Sequence, residues 1–196
     1  MDTQGVALKK LTVTALFIGL GVLLAPLVSF PLAGARVFPL QHLINVLLAV
    51  LLGWRYSVSG AFCISSIRIA FGVGTVLAYP GSMIGAWLSG VLYNRTHSIW
   101  GAVIGEIIGT GILGGLIAYP VAAFILDSKA VALWAFVVAF LPNTIIGALG
   151  AAVLYTLLPL QKIADGMLKK KLLWKCNDIV TFYPSVLTIR RRYIKL

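Results

Sequence analysis

Charge, and acidic charge above all, is what this 196-residue chain has least of: five Asp and Glu stand against sixteen Lys and Arg, and charged residues make up only 11%. A soluble domain carries about 25% charged residues, and a chain this short has much surface for its volume. An ordinary soluble globule is therefore excluded. There are two cysteines and two histidines, with no CxxC pair and no Cys/His ligand spacing, so neither a disulfide framework nor a metal site is expected. Cys63 falls in an apolar stretch and Cys176 in the C-terminal tail. No GxxxxGK[ST] phosphate loop occurs, which removes the usual route to ATP hydrolysis. A membrane enzyme acting through acidic metal sites or a His/Asp/Glu cluster finds almost nothing to work with, so no enzymatic activity and no cofactor are expected.

What is present is hydrophobic: 60% of residues, with a mean hydropathy of +1.01. Only helices and closed barrels satisfy their backbones in lipid. The apolar runs here are long and unbroken, unlike the alternating strands of a barrel. The expected fold is an all-α, polytopic membrane protein with six transmembrane helices over residues 1–160, at roughly 11–30, 40–53, 56–71, 76–93, 100–126 and 131–158. Spans two and three are short, and a re-entrant hairpin is an alternative for them. Residues 161–196 form a basic tail.

Basic residues set the orientation. Lys9, Lys10, Arg55, Arg95 and Lys162 fall on one side, against Arg36 and Lys129 on the other. Both termini are thus expected in the cytoplasm. Ala33-Gly34-Ala35 looks like a leader cleavage site, but about twenty apolar residues precede it and two prolines interrupt them, so an uncleaved first helix is expected. Nine of the sixteen basic residues lie in 161–196, interleaved with Trp174, Phe182, Tyr183 and Tyr193. Beside a membrane helix this pattern suits anionic headgroups better than nucleic acid.

Polar residues inside the apolar runs are the candidate functional groups. Arg68 and Glu106 are the two intramembrane charges, and such charges are costly and often functional. At 1.5 Å per residue Arg68 lies about 18 Å above Tyr56, and Glu106 about 9 Å above Trp100. That offset is within reach of two long side chains, so a structural ion pair is expected, with Glu106 too deep to touch an external ligand. Gln41, His42 and Asn45, the Tyr79-Pro80-Gly81-Ser82 stretch, Tyr119-Pro120 and Pro142-Asn143-Thr144 mark further polar or broken positions. Each alone suits a packing contact; together, with His42, Tyr79 and Tyr119 all towards the outer face, they suit a pocket. Gly101, Gly105, Gly109, Gly111, Gly114 and Gly115, with Ala15-x-x-x-Gly19 and Gly81-x-x-x-Gly85, are small-residue faces that let helices approach closely.

The segments PLQHLINVLLAVLLG (39–53), SSIRIAFGVGTVLAYPGSMIGAWLSGVLY (65–93) and GEIIGTGILGGLIAYPVA (105–122) resemble the ThiW family, over about residues 8–160. GTxLAYPGSMIGA and GExxGTG are long, unusual strings. The resemblance implies the thiazole-type substrate-binding (S) component of an energy-coupling-factor (ECF) vitamin transporter, a six-helix subunit of the cell membrane. It implies partners as well: a transmembrane coupling subunit and two cytoplasmic ATPases. Ala15 and Gly19 match the small-residue positions by which S components contact the coupling subunit, with Gly where Ala is common.

The implied ligand is hydroxyethylthiazole, a thiamine precursor. It is a small neutral ring with one hydroxyl, and it suits an apolar pocket with a few placed polar groups. Tyr79, Tyr119 and Trp134 are candidates to stack on the ring, and His42, Asn45, Ser82 and Asn143 to meet its polar atoms. Thiamine, its pyrimidine precursor, or a non-transport scaffold or channel role are the alternatives. Asp127 is the sole carboxylate towards the outer side, which favours a neutral ligand. Nothing after about Gln161 resembles the family.

Overall fold

The computed structural model describes residues 3–32, 35–125, 133–160 and 162. The chain divides after Leu160 into two units, and every element below belongs to the first. The Ala33-Gly34 step, the Asp127–Lys129 loop and the tail from 163 onward, with Cys176, lie outside the described residues.

Six helical rods carry the fold. The first, α1 (Thr3–Leu24), ends just short of Pro26, where the residue before a proline is pushed out of helical conformation. A short antiparallel pair follows, β1 (Phe30–Leu32) with β2 (Ala35–Val37), Phe30 opposite Val37 and Leu32 opposite Ala35. From sequence, the first span ends at about Phe30, and the residues that follow fall in a connection without assigned structure. The strands close the segment's backbone hydrogen bonds locally, where Pro26 and Pro31 prevent a helix from doing so.

α2 (Pro39–Leu51) opens with proline at its first turn, where the missing N–H costs nothing. A Leu52-Gly53 turn, with Gly53 at φ +99°, leads directly into α3 (Trp54–Ala70). Gly72, at φ +70°, turns the chain towards α4 (Ala78–Thr96). His97 closes α4 in the left-handed region, and Ser98 caps α5 (Ile99–Glu106) by accepting the Trp100 N–H at 3.3 Å. α5 continues without a break through a π-helical segment (Ile107–Gly114) into α6 (Gly115–Ile125), and α7 (Leu133–Leu157) ends the unit.

Among the described residues, three rods are long and apolar enough to cross a membrane: Gln4–Leu24, Ile99–Phe124 and Trp134–Leu157. α2 is apolar but has only 13 residues, about 20 Å of helix against a hydrocarbon core of about 30 Å. Pro120 and Pro142 do not break their helices; both lie inside continuous ones. Around Pro142, the Asn143 amide bonds the Ala139 carbonyl at 3.5 Å and the Thr144 hydroxyl bonds the Leu141 carbonyl at 2.9 Å. Side chains thus add hydrogen bonds to the backbone carbonyls beside the ring.

The core is built on glycine. A Cβ added to Gly105 would lie 2.7 Å from the Ser89 Cα, one on Gly109 would lie 2.6 Å from the Gly85 Cα, and one on Gly114 would strike the Gly81 Cα. α4 and the α5–π rod therefore touch backbone to backbone. On α4 the stripe steps by four, 81–85–89; on its partner it steps by four and then five, 105–109–114. A step of five leaves the face of an α-helix, but the π turn spans that extra residue and keeps Gly114 against α4.

Candidate functional site

α2 is buried on nearly every side and carries Gln41, His42 and Asn45 into the protein's interior. Buried polar groups must find partners, and here they do so across four rods. Glu106 Oε1 is the hub. It accepts from His42 Nδ1 at 2.9 Å, from Asn45 Nδ2 at 3.0 Å and from the Thr110 hydroxyl at 3.0 Å. Thr110 also reaches the Gly81 carbonyl at 3.0 Å, and Asn45 Nδ2 reaches the Ser82 carbonyl at 3.3 Å. Both partners of Nδ2 are acceptors, which fixes the orientation of the Asn45 amide.

Because Nδ1 donates to the carboxylate, the imidazole is held in one tautomer and orientation, with Nε2 left for another partner. Nε2 has none among the described residues. The His42 side chain keeps 11% of its surface, while Glu106 is fully enclosed. Glu106 Oε2 and Asn45 Oδ1 are buried and unpartnered; a Cβ on Gly85 would lie 2.9 Å from that Oε2.

A second chain of bonds starts about one turn away, towards the N-terminal end of α2. Arg68 Nη1 donates to Gln41 Oε1, and Gln41 Nε2 donates to the Ser65 hydroxyl at 2.9 Å. Ser65 lies 3.2 Å from the Ser82 hydroxyl, which itself donates to the Ala78 carbonyl at 2.8 Å. A guanidinium only donates, so the direction of every bond in the chain is set from that end. The guanidinium also stacks 4.1 Å from the centre of the Phe38 ring. A desolvated cation–π contact supplies about 2 kcal/mol, short of the several kcal/mol that burying an ion costs.

The expected Arg68–Glu106 ion pair does not form. Arg68 meets Gln41 and the Val73 carbonyl, whereas Glu106 meets His42. The reason is axial offset: Arg68 is level with the first turn of α2, and Glu106 with its second. Being short, α2 brings its polar turns down to the depth of Glu106, which is therefore not too deep to meet them.

Of the other sequence-derived candidates, His42, Asn45 and Ser82 come together. Tyr79 is half-buried, its hydroxyl donating to Ser66 at 2.9 Å and its ring 5.5 Å from that of Phe62. The amide of Asn143 is taken up locally, accepting the Phe38 N–H where the chain enters α2. Tyr119 and Trp134 have exposed rings, and no hydrogen bond or ring contact joins them to the cluster. Thr110 and Ser65 were not singled out in the sequence; the i, i+4 spacing of Glu106 and Thr110 within GExxGTG is the signal that marks the first. Ala15 and Gly19 lie on the open face of α1, and a Cβ on Gly19 would meet nothing within 4 Å.

A helical membrane protein with an enclosed polar centre among apolar rods is the class that this fold and site define. A family model described as thiamine-precursor transporter protein (ThiW) matches residues 11–161. The chain belongs to that family, a family of transporters rather than of enzymes. No curated protein and no solved structure matches it.

Proposed function

We propose that the chain is the substrate-binding subunit of an ECF-type importer, capturing hydroxyethylthiazole from outside the cell for uptake driven by partner subunits. In this reading the six rods all span the cell membrane, both termini are cytoplasmic, and residues 161–196 are a cytoplasmic tail. The observation that carries it is the His42–Glu106 pair. A carboxylate buried among apolar helices fixes an imidazole whose second nitrogen is unspent, and such a nitrogen accepts a hydrogen bond from a small ligand's hydroxyl. Asn45 and Ser82 bound the same polar centre, and Tyr79 is the aromatic group nearest to them along α4.

Membership of a thiamine-precursor transporter family supports the choice of cargo. The open small-residue face of α1, with Ala15 and Gly19, supports docking of a coupling subunit, since such faces let a membrane helix approach closely. Two cytoplasmic ATPases then supply the energy.

The test is binding to the purified chain, with thiamine and hydroxymethylpyrimidine as competitors. Tight thiazole binding that His42→Ala weakens by at least about tenfold supports the assignment. Displacement by the pyrimidine at lower concentration than the thiazole transfers the role to the other thiamine precursor. No binding of any of the three by folded protein removes the capture function and favours a scaffold or channel.

A further inference from the structure

Arg68 is 5% exposed, and its charge has no carboxylate partner among the described residues. Its contacts are all neutral: the Gln41 side chain, the Val73 carbonyl at 3.5 Å and the face of Phe38. Nε is buried and bonded to nothing. The edge formed by Nε and Nη2 is the one that grips a carboxylate or phosphate with two parallel hydrogen bonds. Here one of its two donors is unspent and the other makes only a long contact. The opposite side, through Nη1, is tied to the Gln41–Ser65–Ser82 chain, which holds the guanidinium in place.

We propose that Arg68 is the anchor of an oxyanion subsite, so that the cargo is recognised in an acidic form, as a carboxylate or phosphate ester, in preference to a neutral alcohol. This rests on the capture role proposed above and sharpens its substrate class. The sequence favours a neutral ligand because carboxylates are scarce; the structure shows a buried cation with no carboxylate partner among the described residues, and an anion is what completes it. The Val73 carbonyl lies on the forked edge, so the Gly72–Gly74 turn shifts as the oxyanion enters. Gly72, at φ +70°, is the pivot for that shift.

The experiment compares hydroxyethylthiazole, its phosphate monoester and a carboxylate of the same thiazole ring. Binding is measured to the full chain in phosphatidylcholine nanodiscs, for wild type, Arg68→Gln and Arg68→Lys. The acidic forms are expected to bind wild type roughly ten- to a hundredfold more tightly than the alcohol. Arg68→Gln should reduce that ratio to near one, and Arg68→Lys should keep part of it through charge without the fork. Equal or tighter binding of the alcohol by wild type overturns the subsite and leaves the capture role standing. A preference that persists in Arg68→Gln overturns the assignment to Arg68. Failure of all three thiazoles overturns subsite and capture role together.

Phosphatidylglycerol nanodiscs separate the sources of the oxyanion. An unchanged ratio assigns it to the cargo. A lost ratio, with a thermal stabilisation by this lipid that Arg68→Gln lacks, assigns it to a lipid headgroup.

Discussion

α1 and α2 are both apolar, yet they do opposite work. α1 has 22 residues and leaves Leu8, Leu11, Leu16, Leu20 and Leu23 exposed; its buried positions, Thr14 and Gly21, lie two turns apart on one narrow stripe. α2 has 13 residues, is enclosed almost throughout, and brings Gln41, His42 and Asn45 into the interior. Length ranks α1 as the better membrane helix, and α1 is also the more exposed of the two. The polar machinery lies on the helix too short to look like a span. Apolar composition reports what a helix is compatible with, and its neighbours decide whether that surface meets lipid or protein.

The sharpest way to break the contrast is to unseat α2. A side chain on Gly147 of α7 would run into the Pro39 carbonyl and lie 2.8 Å from the His42 Cβ. Gly147→Val is expected to cost about 3 kcal/mol, a fall of the order of 6–12 °C in the melting temperature of the purified protein. Glu106→Ala comes next: it strands the His42 Nδ1–H and removes one of two acceptors from Asn45 and from Thr110, and about 2 kcal/mol is expected from unfolding curves. Glu106→Gln, which keeps an acceptor oxygen, should cost about half as much. Ser65→Ala cuts the Gln41–Ser65–Ser82 chain, for about 1 kcal/mol. Gly19→Val on α1 meets nothing, so its melting temperature should match wild type within the equivalent of about 0.5 kcal/mol. Uptake of labelled thiazole by cells that also express the coupling and ATPase subunits should nevertheless fall. Unchanged uptake would assign the open face of α1 to lipid alone.

The six rods were legible because apolar runs separated by Gly, Pro and basic residues fix helix positions to within a few residues, as at 100–126 against the observed 99–125. The β1–β2 pair was not, since FPL and ARV fall in the connection between two spans, where three-residue strands leave no periodicity to read. His42, Asn45 and Ser82 stood out as polar residues in apolar surroundings. The partner of Glu106 did not, because pairing depends on how far one helix is displaced along another. A count of residues from each helix start assumes level starts, and the short α2 violates that. The exposed Trp134 ring shows the opposite error: aromatic character marks a possible stacking surface but says nothing about which way the residue faces.

The π-helical segment has a consequence for chain length as well as packing. Each of its bonds encloses one residue more than an α-helical bond, so residues 107–114 accommodate a one-residue insertion without lengthening the rod to match. Deleting one residue there is expected to restore a regular helix whose glycines step by four throughout, with Tyr119 and Pro120 kept on the same side of the bundle. The same deletion in a rod that is already α-helical would instead turn everything beyond it by about 100°, so the π turn is the one place where this rod can lose a residue and keep its register against α4.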